Sequence, residues 1–171
     1  MKKRGQFYLI STIIIISIVA SLILVTNYSQ KKSDLNLDYL GEELIIESEN
    51  IIDYGLNNNE NIKDLLINFT KRYPNYSPTN NFYFLFGNET EMTLAGYQKL
   101  ESGSIMVNID GTEESFDLVQ ETYNSKDFSN PNDNMIIEIE GIKYDFDLNP
   151  GENFHFILLK KLGDEKHIVT N

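Results

Sequence analysis

The feature that most constrains this chain is an uncharged apolar stretch near its start. Residues Phe7–Thr26 read FYLISTIIIISIVASLILVT, twenty residues without a charged side chain. An α-helix rises about 1.5 Å per residue, so a stretch of this length is just long enough to cross the hydrocarbon core of a bilayer. The stretch therefore predicts one transmembrane helix over residues 7–26.

Basic residues flank this predicted helix unequally. Lys2, Lys3 and Arg4 precede it together with the terminal amine, whereas Lys31 and Lys32 follow it. Because positive charge favours the cytoplasmic side, residues 1–6 are expected to be a basic cytoplasmic leader. We therefore expect a single-pass protein of the cell membrane, with its N terminus cytoplasmic, its C-terminal domain extracellular and the lipid bilayer as a partner.

A cleaved secretory signal is an alternative interpretation of the same stretch. Such signals usually have a shorter apolar region, followed by a small-residue site of the A-x-A type. The segment Ile18-Val19-Ala20 matches that site poorly. The pattern favours a retained helix over ordinary signal cleavage.

The residues just before the apolar stretch carry a further pattern. Lys2-Lys3-Arg4-Gly5-Gln6-Phe7 resembles the class III signal peptide of archaeal type IV pilins and pilin-like proteins. The resemblance covers residues 2–26. It implies that a prepilin-type peptidase cuts after Gly5, that Gln6 becomes the new N terminus, and that the apolar helix then packs with identical or related subunits.

One position departs from the wider pilin pattern. Many bacterial pilins carry a Glu at the fifth mature position, where this chain has Ile10. Archaeal members often lack that Glu, so the departure argues against a bacterial filament. The alternative is that the basic run only sets topology, as it does on any membrane anchor.

The charge beyond residue 32 excludes one class of partner. The chain has a net charge of −12, yet residues 1–32 contain five basic residues and no acidic one, which leaves −17 on the rest. A domain of that charge is repelled by phosphate backbones, so we expect no nucleic acid partner. The chain has no cysteine, which excludes disulfides, zinc thiolate sites and cysteine nucleophiles.

Two amphipathic helices are predicted in residues 27–73, as a helical stalk region. The first has Ser33 or Asp34 as its N-cap and ends near Gly55 and Asn57–Asn59, and the second covers Glu60–Tyr73. Glu43 and Glu47 repel each other one helical turn apart with no basic residue to relieve them, so the first helix needs a packing partner, which we expect to be a sheet. Its apolar stripe consists of Leu37, Leu40, Leu44, Ser48, Ile51, Ile52 and Gly55.

A linker at residues 74–81 is predicted to precede an antiparallel β domain at residues 82–171. Phe82–Phe86 is apolar on both faces, which indicates a central strand. In a hairpin over Met135–Leu148, a turn at Glu140-Gly141 would pair Ile137 with Tyr144. Further strands are predicted at about Met92–Gln98, Ser104–Ile109, Glu114–Val119, Phe154–Leu162 and His167–Val169.

These elements together predict an α+β fold. It consists of an N-terminal transmembrane helix, two amphipathic helices and an antiparallel β-sandwich-like domain.

No catalytic, cofactor-binding or metal-binding residue is predicted. The sequence lacks the motifs G-x-S-x-G, H-E-x-x-H and G-x-G-x-x-G and a Walker-type loop, so we expect no enzyme and no cofactor. His155 and His167 are interpreted as surface histidines rather than a metal pair. Asp145 and Asp147 are interpreted as alternating residues of a solvated strand face rather than paired catalytic carboxylates.

Asn108–Glu114 has some features of a calcium loop. The first ligand position of an EF-hand would fall at Met106, which cannot coordinate calcium. We therefore interpret this segment as a hairpin turn.

Four N-glycosylation acceptor patterns occur, at Asn27, Asn68, Asn75 and Asn88. Asn27 lies close to the predicted membrane helix, and Pro78 follows the pattern at Asn75. Asn68, on a polar helix face, and Asn88, in a turn, are therefore the candidate glycosylation sites.

The function expected from the sequence is that of a pilin-like, membrane-anchored surface subunit with an acidic extracellular domain. The alternative is a single-pass membrane-anchored binding or envelope protein without a role in filaments. Processing after Gly5 distinguishes the two, because only the first requires it.

Overall fold

In the computed structural model, the described part of the chain after residue 36 has two helices that cover one face of a nine-stranded β-sandwich. The structure describes residues 15–17, 37–76, 80–99, 102–109, 111–131, 134–162 and 165–171. Helix α1 covers residues 37–58, α2 covers Ile62–Arg72, and a 3-10 turn follows at Tyr73–Asn75. The strands in these ranges are β1 Asn81–Asn88, β2 Glu91–Tyr97, β3 Gly103–Ile109, β4 Thr112–Leu118, β5 Tyr123–Ser129, β6 Asn134–Ile139, β7 Ile142–Asp147, β8 Asn153–Leu162 and β9 Glu165–Thr170.

The predicted membrane helix over residues 7–26 lies outside the described residues, except for residues 15–17, which are helical. The predicted N-cap at Ser33 or Asp34 also lies outside them. Of the helices in the described ranges, none has both the length and the apolar character needed to span a bilayer.

A short turn joins the two helices in an antiparallel pair. Asn59 has a positive φ of 53°, and the Glu60 amide donates a hydrogen bond of 3.0 Å to the Gly55 carbonyl. This is the six-residue bond of a Schellman motif, which satisfies a carbonyl that the helix end leaves free. The Asn61 side chain then caps α2 by accepting from the Asp64 amide at 3.2 Å. The predicted stop at Asn57–Asn59 is confirmed.

The strands form two antiparallel sheets that face each other. One has five strands in the order β5-β2-β1-β8-β9, and the other has four in the order β4-β3-β6-β7. The predicted central strand is confirmed, since β1 lies in the middle of the larger sheet. The predicted hairpin is also confirmed, because β6 pairs with β7 in the expected register, with Ile137 opposite Tyr144.

The larger sheet is buried on both faces, and each face has its own apolar cluster. Tyr83 and Leu85 point toward the four-stranded sheet, where they contact its buried residues, including Ile105 and Ile137. Phe82, Phe84 and Phe86 alternate with them and point toward the helices. The helices contribute Leu37, Leu44 and Leu66 to this second cluster, and the 3-10 turn contributes Tyr73. The expectation that the first helix packs on a sheet is thus confirmed.

Polar contacts from two residues of α2 fix this helix on the larger sheet. The Lys63 ammonium lies 2.7 Å from Glu91 on β2 and 2.9 Å from Asp127 on β5. Burial alone would raise the pKa of Asp127, but hydrogen bonds from Thr93 and Lys63 lower it below its ordinary value. Within the last turn of α2, the Thr70 hydroxyl lies 2.7 Å from that of Tyr123 on β5. These contacts fix the position of α2 on β2 and β5 of the larger sheet.

Candidate functional site: a groove between the helices

The structure places only some of the predicted site residues. The predicted processing residues, Gly5 and Gln6, lie outside the described residues. Asn68 is exposed on α2, but its acceptor partner Thr70 is fully buried, with its hydroxyl bonded to the Leu66 carbonyl at 2.8 Å. In the folded domain, a glycosylating enzyme that must contact the hydroxyl of the acceptor pattern at Asn68 cannot reach Thr70.

Asn88, the other glycosylation candidate, is held by hydrogen bonds in the turn between β1 and β2. Its amide nitrogen donates to Glu152 at 3.1 Å, and its oxygen accepts from the Thr90 hydroxyl at 2.7 Å and the Thr90 amide at 3.0 Å. The contact with Thr90 is an Asx turn, which the predicted turn residues explain. A glycan on the Asn88 nitrogen would replace one of its two amide hydrogens and leave the other as a hydrogen-bond donor.

The two histidines do not form a pair. His155 lies opposite Leu85, while His167 lies opposite Lys160, five positions further along β8. Five strand residues correspond to about 17 Å and place the two side chains on opposite faces of the sheet. The interpretation of His155 as a surface residue is wrong, because both of its ring nitrogens are buried and its ring lies 5.1 Å from that of Phe146.

The structure places the two aspartates of β7 and the segment Asn108–Glu114 as the sequence predicts, on an exposed strand face and in a hairpin turn. Asp145 and Asp147 are both exposed on β7, on either side of the buried Phe146. The Asn108 side chain accepts a hydrogen bond from the Gly111 amide at 3.0 Å within the β3–β4 turn, so the hairpin interpretation is confirmed. Within the described ranges, no group of three His, Cys, Asp or Glu side chains could hold a metal ion.

A concave groove lies between α1 and α2. It is a groove of about 830 Å³ that opens to solvent along the helix pair. Its floor is apolar, formed by Leu40 and Ile51 of α1 and by Leu65 and Phe69 of α2. The remaining lining residues are polar or aromatic, namely Glu43, Glu47, Asn50 and Tyr54 from α1, Asn68 and Arg72 from α2, and Tyr73 and Tyr76 beyond it.

Tyr73 is the most buried polar group in the groove. Its side chain is 3% exposed, and its hydroxyl has no hydrogen-bond partner among the described residues. The ring is fixed by Phe69 at 5.2 Å and by Phe82 at 6.1 Å. A buried hydroxyl without a partner costs about 1–3 kcal/mol, which makes it an unusual feature of a folded protein.

The groove has an acidic side along α1. Burial and the neighbouring charge of Glu43 raise the pKa of Glu47. Burial and the charges of Glu43 and Glu47 also raise the pKa of Tyr73, so its hydroxyl keeps its proton and can donate it. Within the described part of the chain, neither glutamate forms a salt bridge, and neither does Arg72 on the opposite side.

The sequence contained one signal of this groove. The apolar stripes of both helices were identified, but the stripes alone do not show that the helices diverge enough to leave a space between them. The unrelieved pair of Glu43 and Glu47 marked the acidic side. Tyr73 was assigned only to the apolar face of the second helix, since its unpartnered hydroxyl depends on packing.

His155 makes the stability of the fold pH-dependent. Burial lowers its pKa below the ordinary value of 6.5, and this outweighs the opposing influence of nearby Asp147. Above about pH 6.5 the ring is neutral in both the folded and the unfolded chain. Below it, the unfolded chain takes up the proton first, so the free energy of unfolding falls until the pH reaches the lower pKa of the folded state.

We therefore expect the urea midpoint of the wild-type chain to decrease between pH 7 and pH 5. In a His155→Phe variant, which keeps a ring against Phe146, the part of this decrease due to His155 should disappear. Urea titrations of both proteins at several pH values measure the effect. An identical pH profile in the two proteins would contradict the assignment.

Comparisons with known proteins give no information on the role of the groove. No family model matches the chain, and neither curated proteins nor solved structures give a match. The groove is therefore interpreted from its own geometry and charge.

Proposed function

We propose that the chain is a pilin-like surface subunit, anchored in the cell membrane by residues 7–26 and carrying an acidic extracellular domain. The observation that carries the proposal is the order of Lys2-Lys3-Arg4-Gly5, an uncharged stretch of twenty residues, and a helix leading into a β-rich domain. This order resembles that of archaeal pilins. Residues 1–6 would lie on the cytoplasmic side of the membrane before processing, and a prepilin-type peptidase would remove residues 1–5.

The physical argument concerns the charge of the leader. Lys2, Lys3 and Arg4 hold the N terminus at the cytoplasmic surface, because moving them through the hydrocarbon core is costly. Once they are removed, the apolar helix is released from that restraint. It can then bury its surface against the same helix of identical or related subunits.

The outer surface of α1 supports assembly with a second copy. Tyr39 and Ile46 are seven residues apart, so they lie on the same side of the helix, and they are 65% and 59% exposed. Exposed large apolar side chains on one helical stripe are a common feature of surfaces that contact another subunit. In the proposed assembly, the neighbouring subunit covers them.

The test is the N terminus of the mature protein. The full chain is expressed in an archaeal host with and without its prepilin-type peptidase, and the envelope protein is analysed by intact mass and N-terminal sequencing. We expect a mature chain that begins at Gln6 only when the peptidase is present. Because Gln6 can cyclise, the intact mass is compared with both forms.

A Gly5→Leu variant is the matched control. It keeps the basic run and the apolar helix but replaces the small residue that the resemblance places before the cut. We expect this variant to remain unprocessed and to be absent from the sheared filament fraction. A wild-type chain that keeps Met1 or Lys2 at its terminus would sink the pilin-like proposal, and a start beyond Ala20 would indicate a secreted protein.

The groove favours a second candidate, a membrane-anchored binding protein without a filament role. Its carboxylates, which form no salt bridge with any described residue, and its buried Tyr73 hydroxyl are features of a recognition site rather than of a purely structural helix pair. Such a protein would keep its function in the Gly5→Leu variant. Membrane localisation without cleavage would support this candidate over the first.

A further inference from the structure

The groove between α1 and α2 has the size and the lining of a ligand site. Its volume of about 830 Å³ lies within the range of about 300–1,000 Å³ that is usual for small-molecule sites. An apolar floor with a few polar groups along the sides is the usual composition of such sites. We infer that this groove binds a small organic compound with a single ammonium group and a bulky apolar body.

The positive charge of the ligand follows from the α1 side of the groove. Glu43 and Glu47 lie one helical turn apart, line the groove, and form no salt bridge within the described residues. Like charges at this spacing repel each other in the free protein. A cation placed between them would replace that repulsion with two attractive contacts.

The buried hydroxyl of Tyr73 also supports a ligand with an ammonium group. Its hydroxyl is buried in the groove lining without a partner among the described residues, and the charges of the two glutamates act on it. The hydroxyl is shielded from solvent, so an ammonium group reaches it only when the lining side chains over it move aside. Its oxygen then accepts a hydrogen bond from an ammonium group that also contacts the glutamates. Binding would thus satisfy a group whose isolation destabilises the free protein.

Aromatic rings at the open side of the groove suit the same ligand. Tyr54 and Tyr76 line it and are 55% and 77% exposed. An organic cation is attracted to the face of a tyrosine ring within about 6 Å of its centre. Carboxylates together with tyrosine rings form a common environment for an organic ammonium group.

The α2 side of the groove limits the ligand to one positive charge. Arg72 lines this side and is unpaired within the described ranges, so it repels a second cation. A polyamine or a lysine-rich peptide would place several charges along the groove. The floor formed by Leu40, Ile51, Leu65 and Phe69 instead favours an uncharged, apolar body.

The experiment uses the full chain in lipid nanodiscs and 4-phenylbutylamine as the probe. Its neutral analogue 4-phenylbutanol, the polyamine spermidine and a trilysine peptide are the comparison compounds, and empty nanodiscs correct for binding to lipid. Binding is measured by isothermal titration calorimetry. For a probe this small, we expect a Kd on the order of 1 mM for the amine, and binding at least about ten-fold weaker for each comparison compound.

Substitutions of the groove residues test whether the amine binds in the groove. Tyr73→Phe removes only the hydroxyl and is expected to weaken binding of the amine by about ten-fold, because one hydrogen bond to a charged group is lost. The double variant Glu43→Gln/Glu47→Gln is expected to abolish measurable binding. Glu42→Gln/Glu49→Gln is the matched control, since it removes the same charge from exposed positions of α1 outside the groove and should leave the Kd within about two-fold of the wild type.

Three results would overturn the inference. The first is equal binding of the amine and the alcohol, which would show that the charge is not recognised. The second is equal weakening in the two double variants, which would show attraction to the acidic domain as a whole. The third is binding of spermidine or trilysine at least as tight as that of the amine. Urea midpoints of the variants confirm that each compared protein is folded.

Discussion

Replacing Phe84 with alanine is expected to lower the free energy of unfolding by about 3–5 kcal/mol, the usual cost of removing a fully buried phenylalanine. Phe84 lies in the middle of β1, the central strand of the larger sheet, and is fully buried. Its ring lies 6.0 Å from that of Phe82 and 6.1 Å from that of Phe154. The cavity left by its removal is enclosed by the sheet and the helices, so it cannot collapse easily.

The change is measured by urea unfolding of the full chain in detergent, followed by circular dichroism. Leu56→Ala is the control, because Leu56 is 60% exposed on α1 and its truncation should change the unfolding free energy by no more than about 0.5 kcal/mol. Similar losses in the two variants would contradict the placement of Phe84 in the core. A lowered midpoint with an unchanged m-value would show that only stability has changed.

Phe84 also shows what the sequence reveals about this fold. The run Phe82–Phe86 has no polar side, and a strand without a polar side must be covered on both faces, so its central position was predictable. The register of the β6–β7 hairpin was predictable because a turn at Glu140-Gly141 places apolar residues opposite one another. In both cases the information is local.

Partners that are distant in the sequence were not predictable in the same way. β1 pairs with β8 along its length, with Phe84 opposite Phe156. The alternation of side chains along β1 shows which faces are buried, but it does not show which strand lies beside it. The strand order β5-β2-β1-β8-β9 therefore had to come from the structure.

β5 was missed for a different reason. Its sequence YNSKDFS contains one buried apolar residue, Phe128, which lies opposite Met92. An edge strand has one neighbour and exposes much of its surface, so it does not need a strong apolar alternation. The strand is fixed instead by polar contacts, from Tyr123 to Thr70 and from Asp127 to Thr93 and Lys63.

The candidate site likewise has a part that follows from local sequence and a part that depends on contacts between distant residues. The repulsion between Glu43 and Glu47 was evident because residues four apart in a helix are neighbours. Arg72 and Tyr73 complete the groove from the end of α2, and their position depends on the Schellman turn between the helices and on the ties between α2 and the sheet. A groove between two helices is a tertiary feature, so patterns within either helix do not define it.

The turn between β1 and β2 leads to the second large expected effect. Gly87 has a φ of +139°, and a Cβ atom there would lie 2.2 Å from the Glu91 carbonyl oxygen and 3.0 Å from the Met92 Cα. Both atoms belong to the opposing strand's backbone, so no side chain can move aside to make room. Gly87→Ala is therefore expected to cost about 3 kcal/mol or more, from the strained φ together with the displacement of β2.

A second glycine separates the cost of the positive φ from the cost of displacing β2. Gly111, in the β3–β4 turn, also has a positive φ of +80°, but a Cβ atom there would meet no other atom within 4 Å. Gly111→Ala should therefore cost only about 1 kcal/mol, the penalty for a side chain at positive φ. Urea midpoints of the two variants measure the difference. If the two losses were equal, backbone strain alone would account for both, and the close approach of β2 to Gly87 would contribute nothing to stability.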